Sequence, residues 1–184
     1  NNFLFKKYFS KRIKKNYSSK AFTTTIYHQN LRNNIAEQHF TNFGPLAFLP
    51  MSNKKTSIVF SVFDKQLIND KSKILKSVMR YNKIYRIKKF TSLYEFPINL
   101  SLSRNYFHKN ILSFGDALHR IHPLAGQGFN MTLRDAEILG ELIEKNLNLG
   151  LNLNTVLENF ENKRKNSNFL FAMGVDFLHE FFKA

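Results

Sequence analysis

Between Asn110 and Asn146 the chain reads NILSFGDALHRIHPLAGQGFNMTLRDAEILGELIEKN, and no other stretch limits its fold so tightly. The short apolar run Asn110–Phe114 predicts a strand that passes straight into Gly115-Asp116. Gly126-x-Gly128 follows a His-Pro step, and a helical pattern begins at once. The chain has only seven glycines, and three of them, Gly115, Gly126 and Gly128, precede this helix. Glycine lacks a Cβ, so the main chain at Gly126 and Gly128 can approach a ligand closely and take positive φ. The amides of Gly128, Phe129 and Asn130 then lie at a helix N-terminus, where unpaired N–H groups and the dipole favour a partly negative group. Asp116 offers a carboxylate to ligand hydroxyls, and Pro123 adds a rigid apolar surface.

Such an arrangement suits a ligand with hydroxyls at one end and an electron-rich ring at the other. A flavin with its ribityl chain fits. The helix that follows carries Ala136, Leu139, Gly140, Ile143 and Leu147 as an i, i+3, i+4, i+7, i+11 stripe, with Glu137, Glu141 and Glu144 off it. Glu141 and Lys145 add i,i+4 support, and Gly150 is the expected stop.

Upstream, the β-branched and aromatic stretches Ala21–Asn30, Asn34–Thr41, Pro45–Met51 and Thr56–Phe63 predict four strands at hairpin spacing, hence an antiparallel sheet. Lysines alternate with apolar residues at helical spacing from Lys65 to about Arg80. Ser92–Ser103 predicts another strand, with Pro97 arguing for an edge or a bulge. A last helical region runs from about Thr155 to Phe182, rich in phenylalanine. Its apolar residues suit either the inner face of a terminal helix or attachment to a membrane surface.

The net charge of +15 is lopsided. Residues 1–90 hold 19 Lys+Arg against 3 Asp+Glu, and residues 91–184 hold 9 against 10. A basic half invites contact with nucleic acid or an anionic membrane, although the abundance of Lys, Asn, Ile and Phe accounts for it as composition alone. There is no cysteine, which excludes disulfides and thiolate metal sites. No run is long enough for a membrane span, and the opening residues do not form a secretory signal. His119-x-x-His122 brings two metal-ligating side chains near Asp116, but Pro123 adjoins them and no third ligand stands at a helical offset. No metal is expected. A Gly-x-Ser-x-Gly elbow is absent, so a hydrolase triad is not expected either.

The stretch GDALHRIHPLAGQGFNMTLRDAEILGELI closely resembles the second flavin-binding motif of the FAD-dependent aromatic hydroxylases, the class A flavoprotein monooxygenases. It is most similar to the branch that hydroxylates the ring of ubiquinone precursors. AFTTTIYHQN, HFTNFGPLAFLPM and SIVFSV resemble that branch's substrate-domain sheet, and YEFPINLSLSRNYFHKNILSFGDA its return to the flavin domain. Nearly the whole chain is covered. The resemblance implies an α/β fold, α+β in the residues present: the C-terminal part of an FAD/NAD(P)-binding fold with an antiparallel substrate-domain sheet and C-terminal helices. It implies a connection to the FAD domain over 1–20 and the substrate-domain sheet and helix over 21–103. The second FAD motif and its helix then occupy 104–150, and a helical region 151–184.

It further implies that Gly115 and Asp116 hold the ribityl chain and that Pro123 borders the isoalloxazine. The backbone of Gly126, Gln127, Gly128, Phe129 and Asn130 would meet the pyrimidine edge. In the family NAD(P)H reduces the flavin, oxygen adds at C4a, and the hydroperoxide delivers an electrophilic oxygen to a phenol. No side-chain catalyst is assigned. The partners implied are a prenylated phenol, O2, a membrane surface touched peripherally and a ubiquinone-biosynthesis complex, in the cytoplasm at the inner membrane. Two departures stand out. Leu118 replaces a small Ala and is expected to crowd the ribityl side, and Thr132 replaces a common Gly. The family's Gly-x-Gly-x-x-Gly unit and Ala-Asp-Gly motif are absent. The chain is therefore expected to be the C-terminal part of a longer enzyme or one piece of a split gene, and not to bind FAD tightly alone. An inactive remnant or non-catalytic partner, or a basic nucleic-acid-binding module, are the alternatives.

Overall fold

Strand periodicity organises the first of two compact units, Tyr17–Ile98. The computed structural model describes residues 3–123, 126–150 and 152–183. Helix α1 (Phe3–Tyr8) leads into the long strand β1 (Arg12–His28), which begins well before the expected Ala21. β2 (Glu37–Thr41), β3 (Gly44–Ser52) and β4 (Lys55–Val62) follow. They pair antiparallel in the order β2-β3-β4-β1, and β5 (Ile87–Phe90) also pairs with β1.

Register puts large side chains in rows. Phe60 faces Leu46 on one side and Phe22 on the other, and all three are essentially fully buried. Ile58 faces Phe48 in the next inward row. Each such side chain is worth about 1.5–3 kcal/mol on burial. Two helices close this face: α2 (Lys65–Ile68) and α3 (Lys71–Tyr81), contributing Leu67, Ile68, Ile74 and Val78. The single helix expected over 65–80 is therefore broken. Asp70 causes the break, because its carboxylate caps a new N-terminus by accepting from the amides of Ser72 and Lys73. Between β2 and β3 the chain needs glycine. Gly44 has φ +132, and a Cβ there would collide with the Ser61 carbonyl oxygen.

The second unit comprises the chain to Asn16 and Asn99–Phe182. The end of β6 (Tyr94–Ser103) pairs antiparallel with β9 (His119–Arg120), Leu102 facing His119. Pro97 lies outside that pairing, which covers only Ser101 and Leu102. β7 (Phe107–His108) and β8 (Ile111–Leu112) form a small hairpin. Two long helices complete the unit, α4 (Gln127–Asn148) and α5 (Leu153–Lys183), with Gly150 at φ +68 in the turn between them. Tyr106, Leu118 and Phe160 form its apolar centre, joined by Phe114, Ile138, Leu139 and Leu142.

Of the stripe read from the sequence of α4, only Leu139 packs inward among the described side chains. Ala136 and Gly140 are exposed and Ile143 is 36% exposed, while Met131, Asp135 and Asn146 are buried. The side chain of Leu147 lies outside the described set. Helix α4 is apolar on two sides, and the inward side is marked by polar residues that a count of apolar positions passes over. Among the described residues no helix is long and apolar enough to cross a membrane.

Candidate cofactor site

The chain enters the site in extended conformation at Phe114 and turns at Gly115, whose φ of +59 starts a 3-10 turn over Gly115–Ala117. The amide of Leu118 closes it on the Gly115 carbonyl at 2.8 Å. This turn leaves the Asp116 side chain exposed and sends Leu118 inward, 1% exposed, against Tyr106 and Phe160. The expected crowding of the ribityl side by Leu118 is thus corrected: its bulk fills the core behind the turn. Thr132 also has a place. Its methyl lies 3.7 Å from where a Cβ on Gly115 would stand, so the first turns of α4 rest on the Gly-Asp turn. Its hydroxyl donates to the Gly128 carbonyl at 3.2 Å.

Arg12 fastens the turn from the other side. Its guanidinium donates to the Ala117 carbonyl at 2.7 Å and to the Ser101 hydroxyl at 2.6 Å, and it stacks over Phe5 at 4.6 Å. Burial, and then the nearby Arg120, lower its pKa from the ordinary value. In the sequence Arg12 is one cation among many in a basic segment, and only its fixed position on β1 distinguishes it.

After buried Ile121 and His122, Pro123 is exposed. Leu124 and Ala125 lie outside the described residues. Gly126 has φ +68, and a Cβ on it would meet nothing within 4 Å among the described residues. Gly128 takes no positive φ, contrary to expectation, because α4 has already begun at Gln127. A Cβ there would touch only Ile121 among the described residues, at 3.8 Å. Phe129 is 70% exposed, and Asn130 is exposed as well. Among the described residues, therefore, only Ile121 comes within 4 Å of a Cβ placed on Gly126 or Gly128. That is the shape a flat ring needs in order to meet backbone amides.

Helix α4 is held in place by a buried polar cluster. Asp135 is fully buried and accepts from His119 Nε2 at 2.7 Å, Arg164 Nε at 2.6 Å and Asn168 Nδ2 at 3.1 Å. Burial opposes ionisation of Asp135, yet hydrogen bonds from His119, Arg164 and Asn168 outweigh it and hold the carboxyl below its ordinary range. Asn168 also donates to the Tyr106 hydroxyl at 3.2 Å, and burial pushes that phenol up to about 12. The two histidines of the His-x-x-His pair go separate ways. His119 meets Asp135, whereas His122 stacks on His179 with ring centroids 4.0 Å apart. Burial, then the charge of His179, brings His122 down to about 3. Among the described residues no group of three or more His, Cys, Asp or Glu is placed to hold a metal ion.

The glycine corner at the start of α4 thus follows the acidic Gly115–Ala117 turn in the same unit. The profile of the family described as FAD binding domain matches residues 19–168, and the chain belongs to that family. It is 28% identical to the 3-demethoxyubiquinol 3-hydroxylase of Escherichia coli over 89% of this chain and 44% of that protein. It is 25% identical to the ubiquinone hydroxylase UbiL of Rhodospirillum rubrum over 90% of this chain and 41% of that protein. Its fold superposes with a TM-score of 0.69 on the crystal structure of PqsL, a probable FAD-dependent monooxygenase from Pseudomonas aeruginosa. That match has 18% identity and covers 93% of this chain and 50% of the other. The chain thus spans less than half the length of the two curated relatives.

Proposed function

We propose that this chain forms the flavin-facing part of an FAD- and NAD(P)H-dependent monooxygenase that hydroxylates a phenolic ring in ubiquinone biosynthesis. The observation that carries the reading is the main chain at Gly126, near exposed Pro123, where a Cβ would meet nothing within 4 Å among the described residues. FAD held there would supply the reductive activation of dioxygen that hydroxylation of an electron-rich ring requires.

Each part of the site then has a task. Asp116, lifted into solvent by the Gly115 turn, accepts hydrogen bonds from ribityl hydroxyls. Arg12 fixes that turn by its bond to the Ala117 carbonyl. Pro123 lies against the ring. The amides of Gln127, Gly128, Phe129 and Asn130 face the pyrimidine edge and stabilise negative charge there through the helix N-terminus. Leu170, Phe177 and Phe181 stand 66–69% exposed along α5 and support peripheral contact of a lipid-bearing substrate's membrane with this helix.

The test is flavin retention. In the longest protein that contains this chain, Asp116→Ala is expected to weaken FAD at least tenfold, while circular dichroism stays unchanged. A parent protein that remains colourless after reconstitution with FAD refutes the reading, as does full retention by Asp116→Ala.

A further inference from the structure

The positive charge of the unit Tyr17–Ile98 is not balanced from within. It holds 13 Lys+Arg against 4 Asp+Glu. All four carboxylates are occupied: Glu37 lies 3.4 Å from His39, Asp64 caps α2, Asp70 caps α3, and Glu95 pairs with Lys20 at 3.2 Å. Among the described residues only Lys20 and Lys73 of these cations have an acidic partner. The excess is concentrated over residues 71–94, which carry eight Lys+Arg and no Asp or Glu.

The fold builds part of this segment into an outward corner. Helix α3 buries Ile74 and Val78 and leaves Lys76, Met79 and Arg80 exposed. Lys76 and Arg80 stand at i,i+4, a spacing at which like charges destabilise an isolated helix. After α3 the Asn82 side chain accepts from the amides of Ile84 and Tyr85 and donates to the Tyr85 carbonyl. Gln29 secures the same turn, donating to the Ile84 carbonyl and accepting from the Arg86 amide. Tyr85 is buried beneath it, while Lys83, Ile84 and Arg86 are exposed. Met79 is 50% and Ile84 46% exposed, each next to a cation in sequence.

Phosphate groups are the anions such a corner fits, and its other side chains select the carrier. Tyr81, Tyr85 and Phe90 pack against the core, so none is free to stack on a base. Met79 and Ile84 gain nothing from a sugar-phosphate backbone, but they leave water on entering the boundary between headgroups and acyl chains. We propose that this corner docks on an anionic lipid bilayer: Lys76, Arg80, Lys83 and Arg86 meet headgroup phosphates, and Met79 and Ile84 enter the boundary. The surface shares no residue with α5, and the assignment does not depend on the flavin reading.

Vesicle flotation of the whole chain tests it. Vesicles with about 30 mol% phosphatidylglycerol should bind at least tenfold tighter than pure phosphatidylcholine, and about 0.5 M salt should remove the difference. Each basic residue near an anionic leaflet strengthens attachment about fivefold, so Lys76→Gln, Arg80→Gln and Lys83→Gln together should cost about a hundredfold. Arg32→Gln, Lys54→Gln and Lys65→Gln, which remove the same charge elsewhere in the unit, should together cost less than about fivefold. Met79→Gln with Ile84→Gln should weaken vesicle binding about tenfold. Every substituted side chain is exposed, so folding is retained. Absence of vesicle binding overturns the assignment, as does equal affinity for the two vesicles or equal loss in the two triple variants. Tighter binding to a DNA or RNA duplex than to the anionic vesicles overturns it too, giving the corner to nucleic acid.

Discussion

Asp135→Asn isolates the cluster that anchors helix α4. The substitution keeps shape and one acceptor, so the bond from His119 can survive, but it removes the charge that pairs with Arg164 at 2.6 Å. Removing one partner from a buried ion pair costs about 3–5 kcal/mol, because the remaining charge is stranded. Arg164 is 14% exposed and recovers some hydration, which places the expected loss near the lower end, about 3 kcal/mol. Urea denaturation followed by far-ultraviolet circular dichroism, with the seven tyrosines as a second probe, measures it. At a denaturant slope of about 2 kcal/mol/M the midpoint should fall by about 1.5 M. The pH dependence provides an internal check. The folded-state pKa of Asp135 lies below its ordinary value of 3.8, so its contribution is complete above that value and disappears as pH falls through the folded-state value. Wild type and variant should therefore converge in acid. A loss below about 1 kcal/mol at neutral pH, or a deficit that persists undiminished in strong acid, refutes the reasoning.

His122, neutral in the folded protein down to about 3 but ordinarily titrating at 6.5, makes the unfolded chain the better proton acceptor between those values. Stability should fall by about 1.4 kcal/mol per pH unit on acidification through that window, and His122→Phe should flatten the slope of midpoint against pH. Gly44→Ala should destabilise the unit of Tyr17–Ile98 by about 3 kcal/mol or more, since the new methyl meets the backbone at Ser61 and cannot be relieved by a rotamer change. Thermal unfolding followed by circular dichroism reads this directly.

The sheet was legible because β2, β3 and most of β4 alternate between faces and are joined by two-residue turns. The glycine corner was legible because glycine is informative where a main chain must be bare. What escaped the sequence is instructive in each case. One helical period runs from Lys65 to Arg80, but Asp70 serves two amides better as a cap than as an interior residue. The helix after Gln127 was expected with the correct type and extent, yet its inner face carries Asp135 and Asn146, whose burial is sustained by hydrogen bonds. Arg12 and Arg164 read as solvated charge until the fold supplies the carbonyl and carboxylate they meet. Apolar periodicity reports burial driven by water exclusion and is silent about burial driven by pairing.

Asp135 sits two helical turns beyond Gly128, gripped by β9 on one side and α5 on the other. Helix α4 consequently cannot slide along its axis or roll without tearing three bonds at once. Registration of its exposed amides is therefore set from behind, so the front edge needs no side chain to aim it. A lesion on α5, which bears none of the residues assigned to the flavin, would blur that registration as effectively as one at the glycines themselves.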